Sequence, residues 1–203
     1  MLPVAGNLLV VIEDGRLFGP FAAPTGRIVV YGGNGNDMVY VSPLLTESSW
    51  IFGGAGNDVF YADSGNSVLV GGSGNNVLVS GRGRNILIAG CGGRNVILGT
   101  QGDNVEISGS TAYDANQAAL AAILAEWSSG DSYAQRVGRL NGTIAGGLNG
   151  SWVLVAGTIA HGTNDNYLFG GTGQNAYFAR QTGSLLARDY IFGEKYSEIV
   201  TSI

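Results

Sequence analysis

A nine-residue alternation of polar and apolar stretches runs through the middle of the chain. In each unit a glycine-rich segment of six residues precedes three mostly apolar ones, as in GGSGNNVLV at 71–79. Glycine supplies the dihedral angles of tight turns, and short apolar runs between turns predict strands. Six units follow one another in phase, apart from one extra residue, Ala89. They span 53–61, 62–70, 71–79, 80–88, 90–98 and 99–107.

Two such units form one coil of about 18 residues, and stacked coils form two parallel sheets around a thin core. The eighth position then points inward, and large apolar residues occupy it. These residues are Phe60, Leu69, Leu78, Leu87 and Ile97. Glu106 interrupts the series, so we expect the regular stack to end there. Two more copies lie at 32–40 and 170–178. The predicted fold is mainly β, a parallel β-roll or β-solenoid.

The outward positions, seven and nine of each unit, are also apolar, as at Val68, Val70, Val77 and Val79. Two interpretations are open. Other segments of this chain cover these side chains, or they form an exposed face for a partner or a neighbouring domain.

The period changes to that of a helix between 114 and 140. Leu120, Ile123 and Trp127 follow helical spacing, and Asp114 is the expected N-cap. A second short helix is expected after Asp131. Since the ends of a repeat stack need covering, this helical hairpin is predicted to cap the stack or to cover one sheet face.

These patterns divide the chain into four predicted segments. An N-terminal strand segment spans 1–31, and the nonapeptide β-solenoid spans 32–107. The helical insertion spans 111–142, and a C-terminal β segment with one further repeat spans 150–203.

Charge and composition narrow the possible functions. Of 203 residues 35 are glycine and only 12% are charged, with a net charge of −5, which disfavours nucleic acid and anionic membranes as partners. No apolar run is long enough for a membrane span. The single Cys91 and the single His161 exclude a cysteine-based zinc site and most catalytic constellations. We find no identifiable acid or nucleophile for His161, no HExxH and no GxSxG. The chain is therefore predicted to be no enzyme and to have no catalytic residues.

The unit GGxGxDx followed by a large apolar residue resembles the calcium-binding nonapeptide of haemolysin-type (RTX) proteins. In that family, position-six aspartates and backbone carbonyls of the glycine turns hold Ca²⁺. Hard cations need such oxygen ligands. Two units match in full, GGNGND ending at Asp37 and GGAGND ending at Asp58. If 41–52 is the intervening half-coil, the resemblance implies that Asp37 and Asp58 share one ion, and Asp58 with Asn76 forms at most one further weak site.

The later units depart from the family, because serine or asparagine replaces aspartate at position six. The residues concerned are Ser67, Asn76, Asn85, Asn95, Asn104 and Asn175. Asparagine caps tight turns and can form ladders along a stack, but it supplies no charge. We therefore expect the middle block to be independent of calcium.

A wider likeness covers nearly the whole chain. The helical segment TAYDANQAALAAILAEW at 111–127 is its most specific part. With the repeats, it resembles the C-terminal region of large secreted surface proteins of planctomycete bacteria, which carry cadherin-like or other adhesive repeats upstream. This resemblance implies an extracellular or cell-surface module with residual calcium binding. The partners it implies are calcium ions, cell-surface or matrix components, and upstream domains.

Two functions of different classes follow from these resemblances. The first is a non-enzymatic structural or adhesive module of a secreted protein. The alternative is the C-terminal folding and secretion module of a type I-exported enzyme, since Glu198-Ile199-Val200 loosely fits an uncleaved export signal. A polysaccharide-active enzyme on a β-helix is a third and weaker hypothesis, because the charged residues are dispersed.

Overall fold

The computed structural model describes residues 2–4, 8–13, 16–22, 24–42, 44–62, 64–181, 189–193 and 198–203. The first strands are β1 (Leu2–Val4), β2 (Leu8–Glu13), β3 (Arg16–Ala22), β4 (Ile28–Asn34), β5 (Met38–Tyr40), β6 (Ser49–Ala55), β7 (Val59–Tyr61), β8 (Val68–Ser73) and β9 (Val77–Val79). Next come β10 (Arg84–Ile88), β11 (Val96–Leu98), β12 (Asp103–Ile107), β13 (Ser110–Thr111), α1 (Gln117–Trp127) and α2 (Tyr133–Leu140). The last are β14 (Ile159–Ala160), β15 (Tyr167–Phe169), β16 (Ala176–Ala179), β17 (Tyr190–Phe192) and β18 (Ile199–Ser202).

Two parallel sheets dominate the described part of the chain. The seven-stranded sheet has the order β18-β16-β12-β10-β8-β6-β4, and the six-stranded sheet has the order β17-β15-β11-β9-β7-β5. The chain places its strands alternately in the two sheets, so each coil gives one strand to each. This confirms a mainly β fold with the parallel sheets of a β-roll.

The coil length follows the sequence period. Asp58 contacts the equivalent residue 18 positions on, Asn76, whereas Asp37 contacts Asp58 at 21 positions. The segment between β5 and β6 therefore replaces one half-coil and adds three residues to it, as the pattern predicted.

The expectation that the stack ends at Glu106 was wrong. Strand β12, which carries Glu106, pairs with β16, and Glu106 lies opposite Tyr177. Strand β11 likewise pairs with β15. The helical insertion interrupts the sequence of the repeats but not their stacking, so the predicted segments 32–107 and 150–203 contribute to the same two sheets.

The N-terminal strands form a separate small sheet. Strand β1 pairs antiparallel with β2, and β2 pairs antiparallel with β3. The parallel stacking begins at Ile28 in β4.

The roll has two apolar layers. The inner layer lies between the sheets and contains the predicted inward positions, all fully buried: Phe60, Leu69, Leu78, Leu87 and Ile97. The outer layer joins the seven-stranded sheet to the helices and contains Val68, Val70, Ile86, Ile88, Leu120, Ile123, Trp127, Val137 and Leu140. The helical hairpin is therefore a cover for one sheet face.

Covering of the outward apolar positions by other segments of this chain is confirmed for one of the two sheets. In the seven-stranded sheet Val68 and Val70 are buried under the helices, whereas Val77 and Val79 in the six-stranded sheet are half-buried. Met38, which lies in the edge strand β5 of the six-stranded sheet, is 75% exposed.

Both helices are present, with one correction to their caps. Asn116, not Asp114, is the N-cap of α1, and its side chain accepts from the Ala119 amide. Asp114 instead closes the preceding turn by accepting from the amide and hydroxyl of Thr111. Helix α2 begins after Ser132, which forms a capping box with Gln135.

Candidate metal centre

Position-six side chains of alternate units stack in one column of turns, where the chain passes from the seven-stranded to the six-stranded sheet. The Asp37 amide donates to Asp58 Oδ1 at 2.9 Å, and the Asp58 amide donates to Asn76 Oδ1 at 3.0 Å. The structure thus brings together the three residues proposed from the sequence. We call this series the first turn column; it comprises Asp37, Asp58, Asn76, Asn95, Asn166 and Asp189.

Glycine at position one leaves room for the position-six side chain of its own unit. At Asn76, Nδ2 lies beneath Gly71 and donates to the Ala89 carbonyl of the next coil at 3.4 Å. A Cβ on Gly71 would lie 2.8 Å from Asn76 Nδ2 and 2.3 Å from the Ala89 oxygen. The asparagine therefore places an N–H group in a slot that faces a carbonyl oxygen.

Each of the two aspartates places an oxygen in the equivalent slot of its own unit. A Cβ on Gly32 would lie 2.6 Å from Asp37 Oδ2 and 2.8 Å from the Gly53 carbonyl oxygen. A Cβ on Gly53 would lie 2.4 Å from Asp58 Oδ2 and 2.3 Å from the Gly71 oxygen. Both Oδ2 atoms are buried without a hydrogen-bond partner among the described residues. In both slots a carboxylate oxygen therefore faces a carbonyl oxygen, and both are hydrogen-bond acceptors. A cation between the two oxygens would satisfy them.

Electrostatics at Asp58 agrees with this geometry. Burial raises the pKa of Asp58, the hydrogen bond from the Asp37 amide lowers it, and the negative charge of Asp37 raises it again. A bound cation would remove the repulsion between the two carboxylates and satisfy both orphaned oxygens.

The donor set fits a hard cation. Within the described ranges no cluster of three or more His, Cys, Asp or Glu side chains is arranged to hold a metal. Backbone carbonyls such as those of Gly53 and Gly71 would have to complete the coordination, as in oxygen-rich Ca²⁺ sites. Softer metals, which prefer thiolate or imidazole, do not fit these donors.

The other column of turns carries no aspartate at position six. We call it the second turn column; it comprises Ser49, Ser67, Asn85, Asn104, Asn175 and Glu198. Here Asn85 Nδ2 donates to Asn104 Oδ1 at 3.0 Å, and Asn104 Nδ2 donates to Asn175 Oδ1 at 2.9 Å. The predicted asparagine ladder is confirmed, and each amide supplies the donor that an aspartate would lack.

A further ladder of asparagines is exposed to solvent and was not predicted from the sequence. Asn36 accepts from the amide of Asn57, Asn57 accepts from that of Asn75, and Asn75 accepts from that of Arg94. The recurrence of asparagine at position five was the available signal.

The single histidine has neighbours that the sequence could not reveal. His161 Nδ1 lies 3.2 Å from Ser108 Oγ and 3.9 Å from Asp189 Oδ2. Both contacts use the same ring nitrogen, whereas a serine–histidine–aspartate relay uses one contact at each nitrogen. Burial lowers the pKa of His161, Asp189 opposes this shift and Arg180 adds to it. Ser108 is also fully buried, so the cluster lacks the geometry of a nucleophilic site.

Comparison with known proteins agrees with the class of fold and site. Residues 29–42 and 48–69 match the family model of the RTX calcium-binding nonapeptide repeat (4 copies). The haemolysin-type repeat is thereby confirmed for these two segments, which contain Asp37 and Asp58. No curated protein and no solved structure matches the chain. In the described part of the chain, no helix is long and apolar enough to cross a membrane.

Proposed function

We propose that this chain is a non-enzymatic structural module of a secreted or cell-surface protein, and that Ca²⁺ bound at Asp37 and Asp58 stabilises its first coils. One observation carries the proposal. The slot beneath the position-one glycine holds N–H facing C=O at Asn76, but a carboxylate oxygen facing C=O at Asp37 and Asp58. Those two aspartates lie in the segments that match the RTX repeat.

In this proposal calcium stabilises the first coils, and asparagine side-chain amides stabilise the middle coils. Asp37, Asp58 and the carbonyls of Gly53 and Gly71 hold the ion, and Asn76 lies at the end of the site. Asparagine ladders hold the middle coils in place of an ion. After export, calcium from the extracellular medium would bind the first coils and stabilise them, as for RTX repeats in secreted proteins. The module would then make its adhesive or matrix contacts outside the cell.

Thermal unfolding with and without calcium tests the site. If the dissociation constant is about 0.1–1 mM, 10 mM Ca²⁺ should stabilise the wild type by about 1.4–2.7 kcal/mol, which is a few degrees to about 10 °C in Tm. Asp37→Asn with Asp58→Asn should melt higher than the wild type in EDTA, because each new amide can donate to its carbonyl. The double variant should also lose the part of the calcium response that the site at Asp37 and Asp58 supplies.

Two further variants sharpen this test. Asn76→Asp should lower Tm in EDTA and enlarge the calcium response, because it exchanges the donor to Ala89 for another carboxylate oxygen. Asp103→Asn is the matched control, since Oδ1 can still accept from the Gln174 amide and only the partly exposed pair with Arg84 is lost. An unchanged calcium response in the Asp37/Asp58 double variant would refute the site.

A further inference from the structure

Glu106 lies in the row of inward-facing side chains of the seven-stranded sheet, where the neighbouring coils place Leu87 and Tyr177. Among the described residues of this row, it is the one that carries a charge. Its exposed fraction is 0%, and neither carboxylate oxygen has a hydrogen-bond partner among the described residues. A buried carboxylate in this condition needs either a proton or a counter-charge.

The Glu106 carboxylate reaches the slot that an aspartate occupies in the calcium-type units. A Cβ on Gly99 would lie 2.6 Å from Glu106 Oε1 and 2.7 Å from the Gly170 carbonyl oxygen. This repeats the arrangement of Asp37 Oδ2 and the Gly53 oxygen around Gly32. Position eight of one unit thus supplies the oxygen that position six supplies in another.

The position-six residue of the same unit cannot satisfy Glu106. Asn104 Nδ2 donates to the Gly102 carbonyl at 3.0 Å and to Asn175 Oδ1 at 2.9 Å. Its two hydrogens are therefore in use, although the nitrogen lies close to the slot. Glu106 Oε1 and the Gly170 oxygen remain two acceptors facing the same space.

The next coil adds further oxygens and a second carboxylate. The Tyr177 hydroxyl donates to Glu198 Oε2 at 3.4 Å, and Glu198 Oε1 accepts from the amide and the side chain of Asn175. Burial raises the pKa of Glu106 well above its usual value, and the charge of Glu198 raises it further. The two carboxylates thus act on each other inside the roll.

We propose that Glu106, the Gly170 carbonyl, and Glu198 with the Tyr177 hydroxyl form a second, buried Ca²⁺ site in the second turn column. All the atoms that would bind the ion are oxygens, which suits a hard cation, and two carboxylates balance one divalent charge. The site lies in the other turn column from Asp37 and Asp58 and does not depend on them. Because it is enclosed, its ion would enter as the coils stack, so binding and folding are coupled.

Counting the Ca²⁺ ions bound per chain after refolding from urea in the presence of Ca²⁺, followed by desalting, tests this site on its own. The variant Asp37→Asn/Asp58→Asn should still bind one ion per chain. Adding Glu106→Gln should abolish that binding, because the new amide can donate to the Gly170 oxygen as Asn76 does to Ala89. Glu47→Gln, which removes a carboxylate outside both columns, is the matched control and should change nothing.

Stability measurements and a second substitution complete the test. Glu106→Leu places at this position the residue that the same row carries at Leu69 and Leu87, and it serves if the glutamine variant folds poorly. Both Glu106 variants should melt at higher temperature than their parent in EDTA and should not respond to Ca²⁺ in the Asp37/Asp58 double background.

The outcomes separate the two sites. If the wild type and Glu106→Gln bind the same number of ions, Glu106 holds a proton and the second site does not exist. If the Asp37/Asp58 double variant binds as many ions as the wild type while Glu106→Gln binds fewer, the second site stands and the first fails.

Discussion

Replacing Gly72 by alanine should destroy most of the stability of the roll. Gly72 has φ of +90°, and a Cβ there would lie 2.2 Å from the carbonyl oxygen of Gly54 in the preceding coil. The backbone angle alone costs about 1–3 kcal/mol for a residue with a side chain. The clash adds to this, because neighbouring parallel strands about 4.8 Å apart cannot separate locally without losing their ladder. We expect a total loss above about 4 kcal/mol, a large share of a typical domain's stability.

Gly33 offers a matched control for this substitution. It occupies the same place in its unit with φ of +93°, but no atom of the described residues lies within 4 Å of its Cβ position. Gly33→Ala should therefore cost only the conformational term of about 1–3 kcal/mol. Urea unfolding of both variants isolates the stacking contribution as the difference between them. Equal losses would mean that the coils do not pack as closely as the structure requires.

Much of this fold could be predicted from the sequence, because each unit repeats the same physical requirements. Glycines at fixed positions mark the turns, and Leu69, Leu78 and Leu87 mark the side that faces the core. The longer unit at 41–52, which replaces one nonapeptide, was also visible as a gap between full repeats. Local periodicity therefore determined the coil, its length and its two sheets.

The sequence pattern failed where one residue departed from its unit. Glu106 was interpreted as the end of the stack, since a charged residue in an apolar row is normally excluded from a core. The structure instead continues to β18, because the chain between β12 and β15, which contains both helices, leaves the coil and returns to it. The closeness of the Glu106 carboxylate to the Gly170 carbonyl depends on that return, and no local pattern encodes it.

The residues of the candidate metal site could be predicted, because the repeat fixes which positions stack on one another. Asp37, Asp58 and Asn76 share position six, and one coil brings position six back to the same column. The sequence could not show that Oδ2 of each aspartate is buried against a carbonyl, since this depends on how closely adjacent coils approach. The contrast between amide and carboxylate in that slot appears only in three dimensions.

Replacing Asn95 by alanine should cost about 2–4 kcal/mol, because each unsatisfied buried polar group costs about 1–3 kcal/mol. Asn95 is fully buried in the first turn column, where its Oδ1 accepts from the Asn76 amide at 2.9 Å. Its Nδ2 donates to the Gly93 carbonyl at 3.3 Å and to Asn166 Oδ1 at 2.9 Å. Alanine would leave the Asn76 amide and the Gly93 carbonyl without these partners in a place that water does not reach.

Asn75 provides the comparison, because it makes the same kind of ladder on the exposed edge of the turns. Its Oδ1 accepts from the Arg94 amide at 2.9 Å, but water can replace that bond. Asn75→Ala should therefore change the free energy of unfolding by no more than about 0.5 kcal/mol. Urea unfolding in EDTA keeps calcium out of the comparison and reports the ladder alone. A loss at Asn75 as large as that at Asn95 would mean that burial does not set the strength of the ladder, and the asparagines could not then replace calcium in the middle coils.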